Sequence, residues 1–184
     1  MISFLFMLLV LGSIGFFVYI SYNIIDGLSK VVNSSLEDLH ASMAKRSEII
    51  NTLINTMRPI LKNQKDFDRL ARIGTANANL LKTENDIARK SKGEGILNGA
   101  LSEFTKIIQV NPTLKTNGAI SSYIISLDKS KSEIDLKVKK LNLDIDEYNS
   151  RLAEYPFRVI AGPLKLYPKK LFKESERELS YLSR

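Results

Sequence analysis

From Met1 to Ile25 no side chain carries a charge, and Asp26 is the first ionisable group. Within the core run from Ile2 to Ile20 only Ser3, Gly12, Ser13 and Gly15 are weakly polar or small. As a helix this run reaches roughly 28 Å at about 1.5 Å per residue, enough to cross a hydrocarbon core. Tyr19 and Tyr22 fall at its end, where rings with a polar tip prefer the membrane interface. The pattern predicts a transmembrane anchor over residues 1–25. No basic n-region precedes the run and no A-x-A site follows it, so the segment is expected to be retained rather than cleaved. A buried core helix would be shorter and polar on one side.

Beyond the anchor, apolar residues recur at alternating steps of three and four: Ile24, Leu28, Val32, Leu36, Leu39, Met43, Ile50, Leu53, Met57, Leu61, with a gap at Arg46. That is a coiled-coil stripe, and it predicts that the membrane helix runs straight on into the body. Pro59 is expected to interrupt it near Met57 and Arg58. A second helix is predicted over 67–90, with Phe67, Leu70, Ile73, Leu80 or Leu81, Glu84 and Ile87 near one face, weakened by Gly74, Asn77 and Asn79. Ser91–Gly95 reads as a break. A short helix over 96–110 ends at Asn111-Pro112, since a residue before proline leaves the α region.

The most regular stripe is the last. Ile134, Val138, Leu141, Ile145, Tyr148, Leu152 and Tyr155 alternate four and three, with Leu127, Ile124 and Ile120 extending it upstream and Pro156 bounding it. So narrow a seam requires a partner helix, and several such helices joined by short breaks predict an antiparallel bundle. The expected fold is all-α: an N-terminal transmembrane helix continuous with an elongated antiparallel helical bundle or coiled coil over 26–156, then a tail over 157–184. In the tail, Lys165, Lys169, Lys170 and Lys173 stand among Leu164, Leu166, Tyr167, Leu171 and Phe172. Two roles fit that mixture, a basic amphipathic segment lying on lipid or a short segment packed on the bundle end.

Composition narrows the chemistry. The 184 residues include no Cys and no Trp, and His40 is the single histidine. Disulfides, thiol catalysis and thiolate metal sites are therefore excluded, and imidazole-based sites nearly so. The net charge of +7 and pI near 9.5 suit an anionic lipid surface. Nucleic acid is disfavoured, because the basic residues alternate with acids and no recognition motif is present. Basic residues occur only after the span, beginning with Lys30, Lys45 and Arg46, so the N-terminus is expected outside and the body in the cytoplasm.

Other polar groups read as structural. His40 and Glu37, one turn apart, offer two metal ligands, too few for a site. Glu133, Asp135, Asp144, Asp146 and Glu147 interleave with Lys129, Lys131, Lys137, Lys139 and Lys140, as the charged flanks of a seam do. Gly93-x-Gly95 lacks the G-K-[ST] and the strand of a phosphate loop. Tyr22-Asn23 and Tyr148-Asn149 are expected to pack, asparagine fixing register and tyrosine anchoring through its hydroxyl.

Taken in order, several segments resemble the bacterial LemA family. Tyr22-Asn23-Ile24-Ile25 is similar to its Y-N-x-L-V, and Lys45-Arg46-Ser47-Glu48-Ile49-Ile50-Asn51-Thr52-Leu53-Ile54 to its K/R-R-x-D-L-I-P-N-L-V. Asn111-Pro112-Thr113-Leu114-Lys115-Thr116-Asn117 is similar to Y-P-x-L-K-A-N, while Tyr148-Asn149, Tyr155-Pro156 and the segment 161–172 follow the family's close. Asn51-Thr52, Asn111 and Leu141 depart from the pattern. The resemblance implies an anchored antiparallel bundle with no established catalytic activity, and similarity to a relative among the magnetosome membrane proteins implies work on membrane organisation. The expected function is thus a self-associating scaffold of the bacterial cytoplasmic (inner) membrane, without catalysis, metal or cofactor. The alternative is a tethered adaptor or regulator that binds another membrane protein. Membrane lipid and further copies of the chain are the expected partners.

Overall fold

The computed structural model describes residues 2–61, 64–82 and 86–172. These form helices α1 (Ile2–Met57), α2 (Gln64–Lys82), α3 (Ile87–Val110), α4 (Pro112–Lys115), α5 (Gly118–Ala153) and α6 (Phe157–Ala161), with no strand among the described residues. They divide into two compact units. The first comprises residues 2–37 and 140–170, the second residues 38–139 with 171 and 172. Helices α1 and α5 contribute to both.

In the first unit the opening turns of α1 face outward. Residues 3–24 are exposed except Val18, which is half-buried, and Ser21, which is buried. This is the one helix among the described residues that is long and apolar enough to cross a membrane. The seam begins at Ser21 and Ile25 rather than at Ile24, which is exposed, and continues through Val32 and Ser35. From α5, Leu141, Ile145, Tyr148 and Leu152 are buried, and from α6 Phe157 and Ile160. Each fully buried side chain of this kind stabilises the pairing by roughly 1.5–3 kcal/mol. Tyr155, expected to close the seam, is 85% exposed, because α5 stops at Ala153 and the helical period no longer sets its direction.

The second unit is a four-helix bundle. Its core joins Ile50, Leu53, Met57 and Leu61 to Leu70, Ile73 and Leu80 of α2, Leu97, Phe104 and Ile108 of α3, and Ile120 and Leu127 of α5. Seam positions Ile134 and Val138 are also buried. Along α1, Asp38 meets Lys137 and Ser42 meets Glu133, so the partner's numbers fall as those of α1 rise and the pair is antiparallel. Helix α1 ends at Met57, two residues before Pro59.

The expected break at Ser91–Gly95 does not exist. That segment lies inside α3, which begins at Ile87 with Asp86 as its cap, its Oδ1 accepting from Ala88 N and Arg89 N at 3.0 and 3.2 Å. The helix predicted over 67–90 and the short one over 96–110 are therefore α2, ending at Lys82, and a longer α3. Gly93 is tolerated within the helix for a packing reason. A Cβ there would stand 3.1 Å from Leu80 Cδ1 and 3.7 Å from Leu80 Cα, so the missing side chain lets α2 and α3 approach closely. Glu84 lies outside the described residues.

Candidate functional sites: a buried polar seam and a clasp on Lys169

The bundle unit carries charge in its core. Counting back from Ile108 and Phe104 by fours and threes through Leu101 and Leu97 reaches Glu94 and Lys90, and both are buried. On α1 the same period places Arg46 in the gap of the apolar stripe, 1% exposed. The two meet. Arg46 Nη1 donates to Glu94 Oε1 at 2.6 Å and Nη2 donates to Oε2, a two-pronged pair that matches the planar fork to the carboxylate. Nη1 also reaches Asn98 Oδ1 at 3.3 Å, while Nε is buried with no hydrogen-bond partner among the described residues.

Four further contacts extend this polar seam. Asn77 of α2, also buried, donates through Nδ2 to Ser47 Oγ at 2.8 Å and to Asn51 Oδ1 at 3.5 Å. Ser42 donates to Glu133 Oε1 at 2.9 Å, and Lys90 Nζ lies 2.6 Å from His40 Nε2. Buried polar groups of this kind are costly unless bonded, and here they bond one another across α1, α2, α3 and α5. Glu37 is exposed, and no group of three or more His, Cys, Asp or Glu suited to a metal occurs among the described residues.

The Asn111–Asn117 segment is a turn of two caps. Asn111 Oδ1 accepts from Thr113 N at 3.1 Å with Pro112 at the first helical position, and Asn117 Oδ1 accepts from Ala119 N and Ile120 N to start α5. Leu114, between them, is buried in the core.

In the first unit the focus is Lys169. Asn149 on α5 grips its backbone from both sides, Nδ2 donating to Lys169 O and Oδ1 accepting from Lys169 N, each at 2.8 Å. The ammonium donates to Ser29 Oγ at 3.0 Å and Asn33 Oδ1 at 3.2 Å on α1, and sits 5.2 Å from the centre of the Tyr148 ring. Tyr148 itself donates through its hydroxyl to Tyr167 O at 3.3 Å. Partial burial lowers the affinity of Lys169 for its proton and raises that of the Tyr148 phenol. Nearby, Lys140 Nζ donates to Ser35 Oγ and to Asp144 Oδ2, and Ser35 donates to the same oxygen. Burial pushes the Asp144 carboxyl up, but the hydrogen bonds from Lys140 and Ser35 and the Lys140 charge outweigh it and hold it below the usual carboxylate range.

The packing residues expected from sequence, Ile134, Val138, Leu141, Ile145, Tyr148 and Leu152, are all buried. Tyr19 and Tyr22 are exposed on α1, as are Lys165 and Lys170 in the closing segment. Asn23, expected to pack with Tyr22, is exposed as well, because the seam passes through Ser21 and Ile25 on the opposite side of the helix. Lys169 is half-buried and packs against α1 and α5. Lys173 lies outside the described residues. Sequence reasoning missed the Arg46–Glu94 pair and the clasp; the first left a signal in the seam period, the second a weaker one in Tyr148-Asn149.

An apolar helix able to span a bilayer, followed by an all-helical body whose interior polar side chains pair across its helices, defines a helical-bundle protein with a candidate membrane anchor. The chain belongs to the LemA family, whose sequence profile matches residues 35–181. No curated protein matches it closely.

Proposed function

We propose that this protein is a membrane-anchored, non-catalytic scaffold that self-associates and organises or shapes the bacterial cytoplasmic membrane. The observation that carries the proposal is α1, a single 56-residue helix whose exposed apolar turns and buried bundle seam share one unbroken backbone. Such a helix joins the candidate anchor to the body with no intervening loop, which suits a structural role at the membrane rather than turnover. Lys30 and Lys45, both exposed, favour a cytoplasmic body with the N-terminus outside. Lys165 and Lys170 are available to lipid headgroups, each worth about 1 kcal/mol beside an anionic leaflet.

One observation favours the adaptor alternative. Most seam residues from Ile25 to Leu61 and from Ile120 to Leu152 are buried within a single chain, with Leu28, Leu36 and Ile124 half-buried, which leaves little of the seam for self-association. Electron microscopy of full-length protein in mild detergent and on anionic liposomes separates the two. Regular assemblies or deformed liposomes are expected of the scaffold, and a strictly monomeric protein on undeformed liposomes would establish the adaptor role in its place. Intact mass of membrane-extracted protein checks the anchor, and a mass lacking the apolar segment would remove it from the account.

A further inference from the structure

Beside the buried pair, a cleft of about 370 Å³ opens in the bundle unit between α3 and α5. Its volume lies near the lower end of small-molecule sites, roughly 300–1,000 Å³. Arg46 and Leu127 are its buried floor, and Leu101 and Ile124 its half-buried apolar walls, with Asn98 beside them. Around the mouth stand exposed Ser102, Lys106 and Gln109 of α3, and exposed Asp128 and Lys131 of α5.

The chemistry of the lining is lopsided. Arg46 is neutralised by Glu94 and fixed in place. Lys106 and Lys131 form no ion pair among the described residues, and neither does Asp128. Two cationic side chains against one carboxylate leave the mouth positive, over an interior that is apolar with a few amide and hydroxyl groups. A seam position needs none of this, since Ser102, Lys106, Gln109 and Lys131 lie off the buried stripes.

We propose that this cleft binds a small organic anion, an apolar body of one or two rings or a short branched chain bearing a single carboxylate or phosphate. The acid group sits between Lys106 and Lys131, with Ser102 and Gln109 as neutral donors, and the apolar body lies on Leu101, Ile124 and Leu127. Pairing a charged oxygen with two ammonium groups at the mouth supplies orientation, while the walls supply hydrophobic burial. This site is independent of the scaffold role and adds a ligand-responsive element to the bundle.

Equilibrium dialysis of full-length protein in lipid nanodiscs tests it, with 1-naphthoate and 1-naphthyl phosphate as probes, neutral 1-naphthol as control, and empty nanodiscs for lipid background. Saturable binding of at least one anion with a Kd of about 1 mM or tighter is expected. The two anion arms show which acid group the cleft prefers. Lys106→Glu with Lys131→Glu removes two charge-assisted hydrogen bonds and is expected to weaken binding about tenfold or more. Both lysines are exposed, so the fold should survive, as an unchanged thermal melt would show. Ile124→Trp fills the cleft and is expected to abolish binding at any charge. The proposal is overturned if neither anion binds above empty nanodiscs, if 1-naphthol binds as tightly, or if the double lysine variant binds like the parent.

Discussion

Replacing Glu94 with alanine is the sharpest perturbation of the core. Alanine is the best helix former, so α3 itself loses nothing by the change. What is lost is the counter-charge of Arg46, whose side chain is 1% exposed and whose Nη1 and Nη2 both point at the missing carboxylate. Asn98 at 3.3 Å is the remaining acceptor, a neutral one. Removing one partner of a buried pair costs about 3–5 kcal/mol, because the other charge stays desolvated. In a domain of about a hundred residues each kcal/mol moves the melting temperature by roughly 4–8 °C, so a fall of at least about 12 °C is expected. Thermal melts of full-length protein in detergent, followed by far-UV circular dichroism, measure it. The companion is Arg46→Met with Glu94→Leu, which exchanges the pair for apolar groups of similar size. Since buried pairs are often matched or exceeded by such groups, the double variant is expected to recover most or all of the loss. If Glu94→Ala shifts the melt by only a degree or two, or the double variant is worse than the single, the pair is not the closed buried contact described above.

Three further outcomes are expected. Ile145→Asp places an unpaired carboxylate in a fully buried seam position and should lower stability by more than about 4 kcal/mol in the same melts; a small shift would put that face of α5 in solvent. Asn149→Ala removes both hydrogen bonds to the Lys169 backbone and should raise amide exchange across 166–170, costing about 1–3 kcal/mol locally, with exchange at parental rates counting against the clasp. Asp144 has a folded pKa below its ordinary value of 3.8, so the unfolded state binds more protons between the two values; its contribution is present above about pH 4 and is lost as pH falls through the lowered folded value. The melting difference between parent and Asp144→Asn should accordingly shrink on acidification from pH 7 to about pH 2.5, and a gap constant with pH would contradict the Lys140–Ser35–Asp144 chain.

Hydrophobic period and composition alone determined that the chain is helical, that its first segment is long and apolar enough to span a membrane, and that Ile134 to Leu152 form a buried seam. These properties follow from one-dimensional facts: a run without charge has few places to go in water, and apolar residues every three or four positions make one face of a helix. The polar half of the seam was not legible in that way. Arg46, Asn77, Lys90 and Glu94 occupy seam positions, but a charged or amide side chain reads as surface until its partner is known, and the partners lie 30 to 50 residues apart in sequence. Gly93 and Gly95 read as a break because glycine costs about 1 kcal/mol in a helix, and only the closeness of Leu80 shows what offsets it at Gly93. The role of Lys169 was likewise open from its sequence neighbours. Its ammonium is held by Ser29 and Asn33, some 140 residues away, and only the return of the chain along α1 and α5 places it there. Burial of a charge depends on what stands opposite it, and that is decided by tertiary structure.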